Sequence, residues 1–153
     1  MFFHPSPGGT LVSQDLCILF NGAMTGSSMS EASSVFATKR SVMIVTHSVI
    51  DWSVGVFSRI RVDGPGVEAF ENGWRHYLSS GDVTADLVES SLRAQLPPEN
   101  VIEISSLKKY KVRVGALNNG FYFKRSGAWF WDGFALRSNE IARTLQTFLE
   151  PKA

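Results

Sequence analysis

Cysteine is almost absent from the chain. Cys17 is the single cysteine among 153 residues, so an internal disulfide framework is excluded and a reducing compartment is favoured. Long apolar runs are missing too, since the stretch 16–20 is far shorter than the ~20 residues that a membrane helix needs. We therefore expect an intracellular soluble protein, cytoplasmic or nuclear, with no membrane partner.

Charge of one sign is missing from long segments, although the net charge is only +1. Residues 1–38 contain no lysine or arginine, whereas residues 63–103 carry eight acids against two arginines. Residues 104–131 contain no acid and carry six bases: Lys108, Lys109, Lys111, Arg113, Lys124 and Arg125. Such a chain can present one positive face while its net charge stays near zero.

Signatures of catalysis and of metal binding are also missing. His4, His47 and His76 are scattered, without the spacing of a metal site. Residues 64–69 fit the G-x-G-x-x-A pattern of a dinucleotide loop, but Glu68 would place a carboxylate where the pyrophosphate belongs, so a turn followed by a helix start is favoured. We expect no cofactor, no metal and no catalytic residue, and an enzyme is less expected than a binding protein.

The chain divides by composition near residue 41. Residues 1–40 are rich in Pro, Gly and Ser and predict a flexible, disordered tail. Residues 41–153 predict a single α+β domain. Residues 42–50 are rich in β-branched side chains, and residues 52–62 alternate with a period of two, which predicts two strands.

Two amphipathic helices are predicted between the second and third strands, within residues 66–96. The apolar stripe of the first is Val67, Phe70, Trp74, Tyr77 and Leu78. The second has Asp82 as the expected N-cap and an apolar face of Val83, Leu87, Val88, Leu92 and Leu96. The remainder predicts strands near 100–105, 109–117, 120–126 and 128–136, then a helix capped by Ser138. The expected antiparallel sheet has about six strands.

Two turns predict how the last strands pair. Asn119-Gly120 favours a two-residue hairpin turn that pairs residue 118 with 121, and Ser126-Gly127 favours a second that pairs Lys124 with Trp129. Opposite side chains share a face of the sheet. One predicted face is apolar, with Val112, Val114, Ala116, Phe121, Phe123 and Phe130. The other holds Lys109, Lys111, Arg113, Tyr122, Lys124, Trp129 and Trp131.

This second face combines cations with aromatic rings. Aromatic side chains stack on unpaired bases and flanking cations neutralise phosphates, so the combination indicates binding of single-stranded DNA or RNA without catalysis. Two other interpretations fit the same residues. The aromatics can be core covered by the helices of 66–96, with snorkelling lysines at the edge, or the face can bind a protein partner or build an assembly.

The order of four strands followed by a helix is similar to that of the PUR-type and positive-cofactor-type single-strand binders. The similarity is one of element order over about fifty residues, without a shared motif. It implies a sheet that ends in a terminal helix and a homodimer, and it assigns no role to individual residues.

Overall fold

A computed structural model of the chain describes residues 9–25, 31–46, 50–53, 55–60, 67–116 and 118–150. These residues form an antiparallel sheet with eight strands, and three α-helices. The strands are β1 (Thr10–Val12), β2 (Cys17–Thr25), β3 (Glu31–Ala37), β4 (Ser41–Thr46), β5 (Val101–Glu103), β6 (Leu107–Arg113), β7 (Gly120–Arg125) and β8 (Asp132–Leu136). The helices are α1 (Val67–Leu78), α2 (Ala85–Gln95) and α3 (Asn139–Leu149).

The strand order is β5-β4-β3-β2-β8-β7-β6, and β2 has three partners. One edge of β2 pairs with β3, while its other edge pairs first with β1 and then with β8. The contact between Ala23 and Leu136 therefore joins the early strands to the late ones. The α+β class and the antiparallel sheet agree with the sequence prediction, with two more strands than expected.

The predicted tail is wrong for the part of it that the structure describes. Residues 1–8 and 26–30 lie outside the described residues, but 9–25 and 31–40 contain three strands. Cys17–Phe20 are all buried, because β2 is covered on both faces. Such a strand shows a continuous apolar run without alternation. Ser33 and Ser34 are also buried, in strand β3 and not in a linker.

One face of the sheet, which we call the first face, packs against α1 and α2. Ile18, Phe20, Phe36 and Met43 contribute to a buried cluster that includes the apolar stripes of both helices. The ring of Trp74 in α1 meets Phe36 edge to face, with centroids 4.8 Å apart. These contacts cover the β1–β4 part of the first face.

The second face packs against α3. Its cluster joins Leu19 and Val35 of the early strands to Phe121 and Phe123 of β7, and to Ala142, Leu145 and Phe148 of α3. The predicted cap of this helix is confirmed, because the Ser138 hydroxyl accepts a hydrogen bond from the Ile141 amide at 3.2 Å. The sheet is thus sandwiched between helices over β1 and β2.

The helical predictions hold in outline, with two corrections. Leu87 is 39% exposed instead of buried, and the N-cap of α2 is Thr84, whose hydroxyl accepts from the Leu87 amide, instead of Asp82. The predicted strand over 52–62 is wrong at residues 55–59, which form a 3-10 helix. Phe57 and Ile60 are both buried, and that spacing of three residues suits a 3-10 turn.

The buried carboxylate of Glu89 connects α2 to the sheet through hydrogen bonds and ion pairs. Glu89 is 5% exposed and accepts hydrogen bonds from the hydroxyls of Thr38 and Ser41, the latter at 2.9 Å. Arg40 Nη2 lies 2.8 Å from its second oxygen, and Arg93 Nε lies 3.8 Å away. Burial raises the pKa of Glu89, but these hydrogen bonds and cations together outweigh it and leave the pKa below its ordinary value.

Candidate nucleic-acid interface

The hairpin of β6 and β7 closes through a longer loop than predicted. Arg113 pairs with Gly120, Lys111 with Tyr122 and Lys109 with Lys124, so the paired strands end at Arg113 and Gly120 and the two-residue turn at Asn119-Gly120 is wrong. The Asn119 side chain is used inside this loop, where Oδ1 accepts from the Gly115 amide at 3.1 Å. The register differs from the prediction by six residues.

An even shift leaves every side chain on its predicted face, because strand side chains alternate with a period of two. Lys109, Lys111 and Arg113 are accordingly exposed, and Val112 is buried on the second face. The register of β7 and β8 differs by two residues, also an even number, since Phe123 pairs with Asp132. Ser126-Gly127 does form a turn, in which the Ala128 amide donates to the Arg125 carbonyl at 3.0 Å, although the pairing predicted from it is wrong. The face prediction for β6 and β7 therefore survives one wrong turn and two wrong registers.

The loop before β8 corrects two further predictions. Phe130 is 85% exposed and does not join the core face, and Trp129 is 88% exposed in the loop instead of pairing with Lys124. Strand β8 begins only at Asp132. These two rings form an exposed aromatic tip beside the sheet, whereas Trp131 is 41% exposed and lies within reach of the strand cations.

The pairing arranges the remaining site residues in three rows on the first face. The outer row, on β6, is Lys109, Lys111 and Arg113; the middle row, on β7, is Lys124, Tyr122 and Gly120; the inner row, at β8, is Trp131, Gly133 and Ala135. We call the six residues Lys109, Lys111, Arg113, Tyr122, Lys124 and Trp131 the basic–aromatic patch. The structure brings these six together and leaves Trp129 at the tip.

The patch lies on the same face of the sheet that α1 and α2 cover elsewhere. Ala135 pairs with Met24 of β2 on one side and with Gly120 of β7 on the other, which carries the first face continuously from β2 to β7. Over β1–β4 this face is buried, but at β6 its lysines and arginine are exposed. The interpretation of the aromatic rings as covered core fails for Trp129 and Trp131, which are 88% and 41% exposed, while exposed lysines are compatible with it.

Tyr122 lies flat on a floor of two glycines. A Cβ atom added to Gly120 would come within 2.8 Å of the Tyr122 ring, and one added to Gly133 within 2.6 Å. The ring occupies the space where side chains would otherwise stand, and Tyr122 is half-buried. Sequence reasoning missed both glycines, although glycine inside a strand often marks such a close approach.

Two cations lie within cation–π distance of Trp131. The ammonium groups of Lys109 and Lys111 lie 5.2 and 4.8 Å from the centroid of its ring. These are cation–π distances, and an exposed contact of this kind is worth about 0.5–1 kcal/mol. The contacts hold a large ring and two positive charges at one place on the sheet.

Other candidate sites carry less chemistry. A groove of about 510 Å³ lies between the β1–β2 turn and α3, and Lys39 and Arg143 are among its lining residues. Lys39 is already engaged there, since its ammonium donates to the Phe148 carbonyl and lies 3.9 Å from the Phe148 ring centroid. Burial raises the pKa of the Cys17 thiol to about 12, so it is a poor nucleophile.

Within the described ranges, no three His, Cys, Asp or Glu side chains converge to hold a metal ion. None of the helices in the described part of the chain is long and apolar enough to cross a membrane. Comparison with protein-family models, curated proteins and solved structures found no match to the chain.

Proposed function

We propose that the protein binds single-stranded DNA or RNA on the basic–aromatic patch and does no chemistry on it. The observation that carries the proposal is the exposure of Lys109, Lys111 and Arg113 next to two aromatic rings, on a sheet face that is buried elsewhere. The patch places four cations and two rings within three positions along the strands. Single-stranded nucleic acid binds to such groups, because cations neutralise its phosphates and aromatic rings stack on its bases.

The energy balance at Trp131 favours a stacked base. Stacking contributes roughly 1–3 kcal/mol per base, which exceeds the ~0.5–1 kcal/mol of an exposed cation–π contact. A base that takes one face of the Trp131 ring therefore displaces a lysine ammonium at little cost. The released ammonium of Lys109 or Lys111 is then close to the phosphate of the same strand.

The proposal specifies single strands because the rings lie against the sheet. Tyr122 lies over Gly120 and Gly133, so only its outward face is free for stacking. A base must turn its own flat face toward that ring, which an unpaired base can do and a base inside a duplex cannot. We therefore expect a duplex of the same sequence to bind through phosphate contacts alone and more weakly.

Titration of a fluorescent single-stranded oligonucleotide at several salt concentrations tests the proposal. Neutralising three phosphates implies a slope of about −2 in log affinity against log salt, from roughly −0.7 per contact. Tyr122→Leu should weaken binding about tenfold and Tyr122→Phe should not, because phenylalanine keeps the stacking face. Arg143→Ala is the charge control, since Arg143 is exposed on α3, which packs on the second face. Absence of binding at micromolar protein, or binding that ignores salt, would refute the proposal.

A protein partner is the second candidate, and the aromatic tip favours it. Trp129 and Phe130 are 88% and 85% exposed, and buried tryptophans are frequent anchors of protein interfaces. Capture that survives high salt and is lost in Trp129→Ala identifies this mode, since apolar burial is not screened. We also propose that the protein forms a homodimer, which light scattering at several protein concentrations tests.

A further inference from the structure

We propose that the bound strand lies along β6 with its phosphates on the outer row and its bases pointing inward over β7 and β8, and that the patch holds three nucleotides. This inference rests on the proposed function and adds a direction and a length to it. The three rows of the patch carry the argument, because they separate charge from aromatic surface across the sheet.

The outer row has the spacing of a phosphate backbone. Lys109, Lys111 and Arg113 alternate along β6, and two residues of an antiparallel strand span about 6.8 Å. This is close to the distance between successive phosphates in an extended single strand. One cation can therefore meet each of three consecutive phosphates without bending the strand, and the sheet supplies that spacing before binding.

The outer row also lies at the border of the sheet. Strand β6 is the last in the strand order, so no strand of the described residues lies beyond its cations. The aromatic rings are found only toward the interior, Tyr122 on the middle row and Trp131 on the inner row. A strand with phosphates outside and bases inside matches both charge and apolar surface, whereas the reverse orientation places bases beyond the rings.

The middle and inner rows carry little side-chain volume apart from the two rings. Gly120 and Gly133 lie beneath the Tyr122 ring, and Ala135 adds only a methyl group. The two rings stack two bases, and the third base lies over Ala135, which is in line with Arg113 across the sheet. Lys124 faces Lys109 and adds a second cation at one end, so the two ends of the site differ in charge.

A length series of fluorescein-labelled oligothymidylates from one to eight nucleotides tests the footprint on the full chain. We expect affinity to rise steeply up to three nucleotides and then to gain only the statistical factor of extra positions. Lys109→Ala, Lys111→Ala and Arg113→Ala should each reduce the salt slope by about 0.7. Arg143→Ala, on the other side of the sheet, should leave the slope unchanged. An affinity that keeps rising steeply to eight nucleotides would overturn the footprint.

An abasic oligonucleotide with the same phosphates tests the orientation. If the bases stack inward, removing them should weaken binding at least about tenfold, since each stack contributes roughly 1–3 kcal/mol. Equal affinity for the abasic strand contradicts inward bases while leaving single-strand binding in place. If no oligonucleotide of any length binds at micromolar protein, the proposed function falls together with this inference.

Discussion

Two halves of one sheet face have opposite surroundings. Over β1–β4 the first face is buried beneath α1 and α2, and Trp74 there is fully enclosed. Over β6–β8 the same face carries the basic–aromatic patch, with Trp131 at 41% exposure. We call these parts the covered half and the open half.

The difference shows that residue type does not decide the role of an aromatic ring in this protein. Trp74 is on α1 and packs against the first face, whereas Trp131 immediately precedes β8 and lies beside the lysines of that face. The first meets Phe36 at 4.8 Å, and the second meets two lysine ammonium groups. Packing of α1 on the sheet buries Trp74, whereas Trp131, beside the two lysines, stays 41% exposed.

The largest expected contrast is in stability. Trp74→Ala should cost about 3–5 kcal/mol of unfolding free energy, because it leaves a large cavity under α1. Trp131→Ala should cost less than about 1 kcal/mol, since it removes a half-exposed ring with two weak cation–π contacts. Urea unfolding of both variants measures the contrast. Similar losses of unfolding free energy in the two variants would show that Trp131 is part of the core, and would contradict the description of this half of the face as open.

The second contrast concerns the helix that makes the covered half. Glu89→Gln should cost about 1.5–3 kcal/mol at neutral pH, the range for a hydrogen bond to a charged group. Asp86→Asn is the matched control, because its ion pair with Arg40 is largely exposed and should be worth under about 1 kcal/mol.

The pH dependence of Glu89 has a definite sign. Its pKa is lower in the folded protein than in the unfolded chain, so its stabilisation is complete above the ordinary value of 4.5 and is lost as pH falls through the folded pKa. Wild-type stability should therefore drop in acid, and Glu89→Gln should flatten that part of the curve. Parallel acid curves for wild type and variant would contradict the role given to Glu89.

The third contrast tests the floor of the open half. Gly133→Ala should cost about 1–3 kcal/mol, because the new methyl group would lie 2.5 Å from the Phe121 carbonyl and 2.6 Å from the Tyr122 ring. Gly127→Ala is a useful comparison, since its turn has a φ of +83° but open space around it, so its cost arises from backbone strain alone. Urea unfolding measures both costs, and a Gly133→Ala variant as stable as the wild type would show that the Tyr122 ring does not lie on this glycine.

The smallest expected effect is spectroscopic. Iodide should quench the fluorescence of Trp129 strongly, because that ring is 88% exposed, and that of Trp74 hardly at all. Trp129→Phe should thus lower the quenchable fraction, whereas Trp74→Phe should raise it, with little change of stability for the first. A quenchable fraction that Trp129→Phe leaves unchanged would contradict the exposed tip.

Several parts of the fold are predictable from the sequence for a clear physical reason. The stripes of α1 and α3 follow the helical period, and Ser138 caps α3 as expected. The faces of β6 and β7 are also correct, because alternation fixes them whatever the turn, provided that the shift is even. Six of the seven predicted site residues are therefore together on one surface.

The failures involve information that short patterns do not contain. Strand β2 is buried on both faces, so it has no alternation, and the serines of β3 resemble a linker. Between Arg113 and Gly120 the Asn119 side chain accepts from the Gly115 amide, a contact that the Asn-Gly dipeptide does not reveal. Whether α1 and α2 extend over β6 is a property of their position in space, and composition does not reveal it.

The pairing of β2 with β8 has a consequence for the order of folding. Ala23 and Leu136 are over a hundred residues apart, and their contact closes the sheet. During synthesis, the edge of β2 from Ala23 onward stays unpaired until β8 has been made, and pairing is then slow because it closes a loop of over a hundred residues. During that interval it exposes unpaired backbone groups, a template for contact with other chains. Production of this protein is therefore expected to be most sensitive to aggregation before residue 136 emerges, and destabilising changes in β8 should lower its soluble yield more than equal changes in β6.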